Sequence, residues 1–164
     1  MEMESLRDLF VEQLKDLYSA ENQIIKALPK MIKSASADEL KSAFQKHLEQ
    51  TKGQVERLDQ IFEDLDESPR GKKCKGMEGL LAEGKELMEE DAEEDVLDAG
   101  LISAAQHVEH YEIAGYGTVR TYAQLLGLKK AEKLLQETLD EERETDELLT
   151  GISESINVQA EEAA

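Results

Sequence analysis

The sequence predicts an all-α fold: an antiparallel four-helix bundle with a long crossover, containing a short helix, between the second and third helices. Three observations carry this. Leu, Glu, Ala and Lys dominate the chain, while Pro occurs twice and Trp never, which is a composition of helix formers. Four long segments repeat apolar residues at a period near 3.6. Each segment also has recognisable helix ends. With 164 residues the chain has room for one core. A single domain is expected over residues 1–158, with residues 159–164 as a disordered tail.

The first helix is expected from about Leu6 to Lys33, with Phe10, Leu14, Leu17, Ile24 and Leu28 on one stripe and Pro29 kinking it or ending its regular part. Ser36 followed by Glu39 has the spacing of a capping box. The second helix should start there and continue through Leu40, Phe44, Leu48, Leu58 and Phe62. Ser68-Pro69-Arg70-Gly71 then breaks the chain, and Met77 to Glu90 can form a short amphipathic helix. The third helix spans about Asp95 to Leu126, Gly127 is its natural C-cap, and the fourth runs from about Lys129 to Ile156. Two hairpins joined by one long connection is the topology of ferritin-like folds.

The formal net charge of −19 repels phosphate backbones and anionic headgroups, so neither nucleic acid nor membrane is an expected partner. No apolar run has the length of a membrane span, and the opening residues lack the basic and apolar regions of a signal peptide, so a cytoplasmic location is expected. Cys74 is the single cysteine, which excludes an intrachain disulfide and a Cys-based zinc site. It sits beside Lys72, Lys73 and Lys75, which could lower its pKa, but a solvated loop thiol is the expected reading.

Charged residues interrupt the apolar stripes at mid-helix. Glu21 lies on the stripe of the first helix, Glu109 and Glu112 on that of the third, and Glu142 and Asp146 on that of the fourth. On the second helix the inward polar positions are His47, Thr51 and Gln54, with Gln50 at the flank. Carboxylates gathered in an apolar core cannot all stay ionised, because lost hydration and like-charge repulsion both oppose them. A buried salt-bridge network finds no Lys or Arg at the same layer of the four stripes. Protonated carboxyls sharing hydrogen bonds with His47, Thr51 and water remain open as an explanation. A pair of divalent cations answers the charge problem directly, oxygen-rich ligation suits iron or manganese, and metal is the favoured reading. The second and fourth helices carry no Glu-x-x-His motif, so the expected site is oxygen-rich. His107 and His110 fall off the inward arc, whereas Tyr18 and Tyr116 lie within a turn of Glu21 and Glu112.

Four segments, Asp16-Leu-Tyr-Ser-Ala-Glu21, His47-Leu-Glu-Gln-Thr51, Val108-Glu-His-Tyr-Glu-Ile-Ala-Gly-Tyr116 and Thr138-Leu-Asp-Glu-Glu142, resemble in identity and order the YciF/YciE-type bacterial stress proteins, over about residues 5 to 157. The resemblance implies a ferritin-like, rubrerythrin-related bundle, a homodimer and a dinuclear metal centre. It implies ligand positions at Glu21, Glu109, Glu112 and Glu142, with Asp146 a companion one turn after Glu142. Relatives often carry an acid at the position of Gln50 and can carry His at that of Gln54, where this chain has amides.

The function this reading gives is a stress-associated metal-binding protein holding one or two iron or manganese ions, a candidate di-metal oxidase or peroxidase reacting with dioxygen or peroxide. Glu109 or Glu112 would bridge, with Glu21 and Glu142 terminal. No rubredoxin-like cysteine set is present, so redox turnover would need an unidentified electron donor. The alternative from another class is a non-catalytic dimeric structural or interaction protein with a degenerate metal site. A third reading, iron storage, finds no sign of a hollow shell in the sequence.

Overall fold

The computed structural model describes residues 2–163. It contains the helices α1 (Leu6–Ser34), α2 (Asp38–Leu65), α3 (Lys75–Glu89), α4 (Glu94–Leu125) and α5 (Lys129–Glu162), with no strand among the described residues. No helix is long and apolar enough to cross a membrane.

The helix ends follow local chemistry in some places and long-range contacts in others. Ser5 starts α1 with a capping box: its hydroxyl accepts from the Asp8 amide at 3.1 Å, and the Asp8 carboxylate accepts from the Ser5 amide at 2.9 Å. Pro29 does not end this helix, which continues to Ser34. A proline there forfeits its own hydrogen bond, but Leu28 and Met31 on either side are buried in the core and hold the turn in place. The capping box expected at Ser36 and Glu39 does not form. Ala37 is the N-cap of α2, without a side-chain cap. Instead Asp98 of α4, itself buried, accepts from the Ser36 and Ala37 amides at 2.8 Å each.

Asp66 closes α2 in the left-handed region with φ 54°, and the Glu67 amide donates to the Phe62 carbonyl at 3.0 Å. Gly127 does the same after α4, with φ 71° and the Leu128 amide donating to the Ala123 carbonyl at 2.9 Å. The last helix is longer than expected. It passes Ile156 and runs to Glu162, so residues 159–162 are helical, contrary to the expected disordered tail; Ala164 lies outside the described residues.

The four long helices pack in a ring, α1 on α2 and α4, and α5 on α2 and α4. Their buried side chains form two apolar clusters. One holds Phe10, Leu14 and Leu17 of α1 with Leu58 and Phe62 of α2, Tyr116 and Val119 of α4, and Leu135 and Leu139 of α5. The other holds Ile24 and Leu28 of α1 with Phe44 and Leu48 of α2, Leu101 and Ala105 of α4, and Leu149 and Ile152 of α5. Chain direction follows from which cluster each helix meets first: α1 and α5 run one way, α2 and α4 the other. The connection from α2 to α4 must therefore travel back along the molecule, and α3, packed on α1 and α4, covers that route.

Cys74 anchors this crossover and is not the solvated loop thiol expected. It is buried as the N-cap of α3, and its amide donates to Ser19 Oγ at 2.9 Å while its carbonyl accepts from Gln23 Nε2 at 3.1 Å. Its Sγ lies 3.1 Å from the Tyr111 hydroxyl, which donates to Asp16 at 2.9 Å. Tyr111 also presses on Gly76, two residues beyond Cys74: a Cβ there would come within 2.6 Å of its ring, closer than a side chain tolerates unless the ring shifts. Burial pushes the Cys74 thiol above its ordinary pKa, which makes it less nucleophilic.

Candidate metal centre

Between the two apolar clusters every long helix changes chemistry. On α1 the break is Glu21, between Leu17 and Ile24; on α2 it is His47, Thr51 and Gln54; on α4 it is Glu109 and Glu112; on α5 it is Glu142 and Thr145. Each occupies a helical stripe position that an apolar side chain fills one or two turns away, which is why the backbone delivers it inward. Glu21, Glu112 and Glu142 are 0% exposed, and Glu109 is 1%.

The acids meet as two pairs. Glu21 and Glu112 are close neighbours, as are Glu109 and Glu142. One ligand atom from each of His47, Glu109 and Glu142 lies within 4.8 Å of the other two. His47 Nε2 is 3.1 Å from Glu109 Oε1, although not aligned to donate to it. Gln54 Nε2 donates to Glu142 Oε1 at 2.6 Å, fixing that carboxylate from α2.

Burial raises the Glu21 carboxyl to about 8, and the negative charge of Glu142 adds to the effect. Glu109 and Glu112 are held well above the ordinary carboxyl range, first by burial and then by repulsion from Glu142. Burial pushes the His47 imidazole down, toward the neutral form that a ligand needs. Tyr116, buried among the same acids, has its phenol raised by burial and by the charges of Glu21, Glu112 and Glu142.

The donor set fits a divalent cation. Both oxygens of Glu21 and of Glu112, Oε2 of Glu109 and of Glu142, and Nδ1 of His47 are buried without a hydrogen-bond partner among the described residues. No Lys or Arg of the described residues forms an ion pair with any of the four buried glutamates. Oxygen donors with one imidazole suit iron or manganese better than a thiol-seeking metal.

Two candidate residues lie elsewhere. Asp146 does not join the layer: it faces a surface groove, where its carboxylate is 3.1 Å from His110 Nε2 and close to Gln106. The stripe of α5 steps from Glu142 by three to Thr145 and by four to Leu149, so Thr145 takes the inward place expected for Asp146. Gln50 is half-buried at the flank and accepts from the Thr145 hydroxyl at 3.2 Å.

Arg57, a residue not singled out in the sequence, joins the edge of the layer. Its guanidinium, half-buried one turn from Gln54, bonds Glu141 and donates to Thr138 Oγ1 at 3.1 Å. Glu141, expected to face solvent, is thereby held beside the layer. The signal was present in the one-turn spacing of Gln54 and Arg57 and in the adjacency of Glu141 to Glu142.

The comparisons with known proteins agree with this architecture. The Escherichia coli K12 protein YciF is 47% identical over the whole of both chains. The crystal structure of that stress protein superposes with a TM-score of 0.91, covering 94% of this chain and 98% of its own. YcfI of Rhodopseudomonas palustris, described as a proposed structural protein, is 42% identical, with a TM-score of 0.88 and coverage of 91% and 95%. A ferritin-like, diiron-carboxylate protein of Bacillus anthracis superposes with a TM-score of 0.71 at 16% identity, covering 92% of this chain and 99% of its own, a likeness that shows the ferritin-like fold. Residues 5–162 match the family described as a domain of unknown function, DUF892. With that match and the YciF likeness together, the chain belongs to the DUF892 family of YciF-type proteins.

Proposed function

We propose that this protein is a stress-associated metal-binding protein whose core holds one or two iron or manganese ions, which Glu21, His47, Glu109, Glu112 and Glu142 would ligate. The observation that carries the reading is that four buried glutamates each keep at least one unpartnered oxygen, with no Lys or Arg paired to them among the described residues. Anions so placed are opposed by several kcal/mol of lost hydration and repulsion unless protons or metal neutralise them. Within this reading the long helices form one antiparallel ferritin-like bundle with α3 on its crossover.

A bound metal would supply Lewis acidity and, for iron or manganese, electrons for dioxygen or peroxide. The chain's own residues do the rest. Gln54 orients Glu142, Arg57 holds Glu141 at the edge, and the two apolar clusters keep bulk water away. Turnover would draw electrons from a separate donor. The homodimer implied by resemblance to the family belongs to the same proposal, and sedimentation of the native protein measures it.

The test is metal analysis of protein purified without chelator, beside the variant Glu109→Gln/Glu112→Gln. Iron or manganese near one or two equivalents in the native protein, and its loss in the variant, is the expected result. Equal metal content in both would sink the proposal and favour the second reading, a structural bundle whose polar layer specifies packing. The description of the Rhodopseudomonas relative as a proposed structural protein favours that alternative.

A further inference from the structure

Acids outnumber Lys and Arg 38 to 19 in this chain, yet one surface reverses that balance. It lies between α1 and the crossover that carries α3, as two open grooves that share Gln23 and Lys26. Lys15, Lys26, Lys30, Arg70, Lys73 and Lys85 line them, and among the described residues Glu78 is the one acid that does so. Lys15 is half-buried and the other five cations are exposed. Of the six, only Lys73 forms an ion pair among the described residues, with Glu78 at 3.3 Å. Lysines elsewhere find acids: Lys52 pairs with Glu49 at 3.0 Å and Lys130 with Asp64 at 2.9 Å. Neighbouring cations left unpaired on so acidic a chain repel one another, and an anionic partner relieves that repulsion.

The crossover wall of this surface is tied down. The Cys74 amide and carbonyl are bonded to Ser19 and Gln23, and Gly71 lies so close to α1 that a Cβ there would come within 2.9 Å of Lys15 Cβ. A wall held in this way needs little ordering when a partner arrives. Beyond Lys26 the floor turns apolar. Glu78, Leu81, Ala82, Lys85 and Met88 form one stripe of α3, opposite Lys26, Ala27 and Lys30 of α1. Leu81 and Met88 on that stripe are only half-buried. From Lys15 to Lys30 the cationic stretch of α1 is about 22 Å long, the length of a helix of about fifteen residues.

We propose that this surface docks an amphipathic helix of an acidic partner protein. The apolar stripe of that helix would cover Ala27, Leu81 and Met88, while its carboxylates meet Lys26, Lys30 and Lys85. A phosphate group or a nucleic-acid backbone would satisfy the cations but leave the apolar floor bare, and the net charge of −19 repels a long polyanion. A short acidic helix answers both halves of the groove. Its docking needs no metal in the core.

The probe is a fluorescent synthetic peptide of about sixteen residues, with leucines at helical spacing and glutamates flanking them, titrated with the full chain and followed by anisotropy. The native protein should bind it about tenfold more tightly than a peptide with lysine for each glutamate or with serine for each leucine, and added salt should weaken the binding. Lys26→Glu/Lys30→Glu should lower the affinity about tenfold, and so should the separate pair Arg70→Glu/Lys85→Glu; whichever pair keeps the native melting behaviour decides. Equal binding of the glutamate and lysine peptides, or unchanged affinity in a folded variant, would overturn the proposal. Displacement of the peptide by inorganic pyrophosphate or by a single-stranded oligonucleotide, at concentrations below those at which the peptide itself binds, would assign the groove to phosphate and overturn it too. A native dimer that the folded variant dissociates in sedimentation would assign the groove to a second copy of the chain, with the same consequence. Metal content should be the same in native protein and variants, so none of these outcomes touches the carboxylate layer.

Discussion

Glu112 has both carboxylate oxygens buried without partners, close to Glu21 and opposed by the charge of Glu142. Replacing it by Gln removes a charge that the metal-free fold cannot hydrate. Glu112→Gln should therefore stabilise the metal-free protein at pH 8.5 by about 1–3 kcal/mol, read by thermal melts in chelator. The same variant should retain less metal than the native protein, and a melting temperature equal to or below the native one would refute the argument. Cys74 gives a second prediction at this scale. Buried and with its thiol pKa raised, it should resist iodoacetamide in the native state and label only as the protein unfolds. Rapid native labelling would contradict the crossover packing. Glu21, Glu109, Glu112 and Glu142 were legible because each interrupts an otherwise apolar stripe. Asp146 and Cys74 were misread for different reasons. A step of three or four residues along α5 is equally helical until its neighbours choose, and the Cys74 environment is built by Ser19 and Tyr111, far away in sequence.

At the scale of whole elements, α2 depends on an acid from another helix. Asp98 accepts from both amides that open α2, across 62 and 61 residues of sequence. Asp98→Ala should cost about 1–2 kcal/mol, the range for a lost N-cap. Urea unfolding should show this as a lower midpoint with an unchanged slope. An unchanged midpoint would mean that water replaces the cap. The turn between α4 and α5 depends on Gly127, whose φ of 71° a side chain tolerates poorly. Gly127→Ala has open space around its Cβ, so its cost should be the backbone strain alone, about 1 kcal/mol in the same unfolding experiment. The cap at Gly127 was readable because the requirement is local. Ser36 and Glu39 had the right spacing for a capping box and were not used, since a buried carboxylate from α4 supplied the acceptors first. The helices themselves were readable from period alone, whereas their ends were settled partly by tertiary contacts.

For the molecule as a whole, an acidic layer divides the apolar interior in two, and the chain as a whole carries a net charge of −19. Protons and metal ions should compete for that layer. The Glu21 carboxyl moves from an ordinary 4.5 to about 8 on folding, chiefly through burial. Between those pH values the folded chain keeps a proton that the unfolded chain releases, so this group's contribution to stability is present below the unfolded pKa and is lost as pH rises through about 8. Glu109 and Glu112 are shifted in the same direction and reinforce it. Metal binding needs the deprotonated acids, so its affinity should rise over the same interval. Calorimetry of the metal-free protein should show the melting temperature falling from pH 5.5 to pH 8.5. In manganese at about one hundred times its dissociation constant, binding adds about 2.7 kcal/mol. For a chain of this size that is a rise of about 5–10 °C. The gap between the two curves should widen with pH. Parallel curves would mean that metal binds without displacing protons from the layer, and the site would then lie on the acidic surface instead of between the two halves of the core.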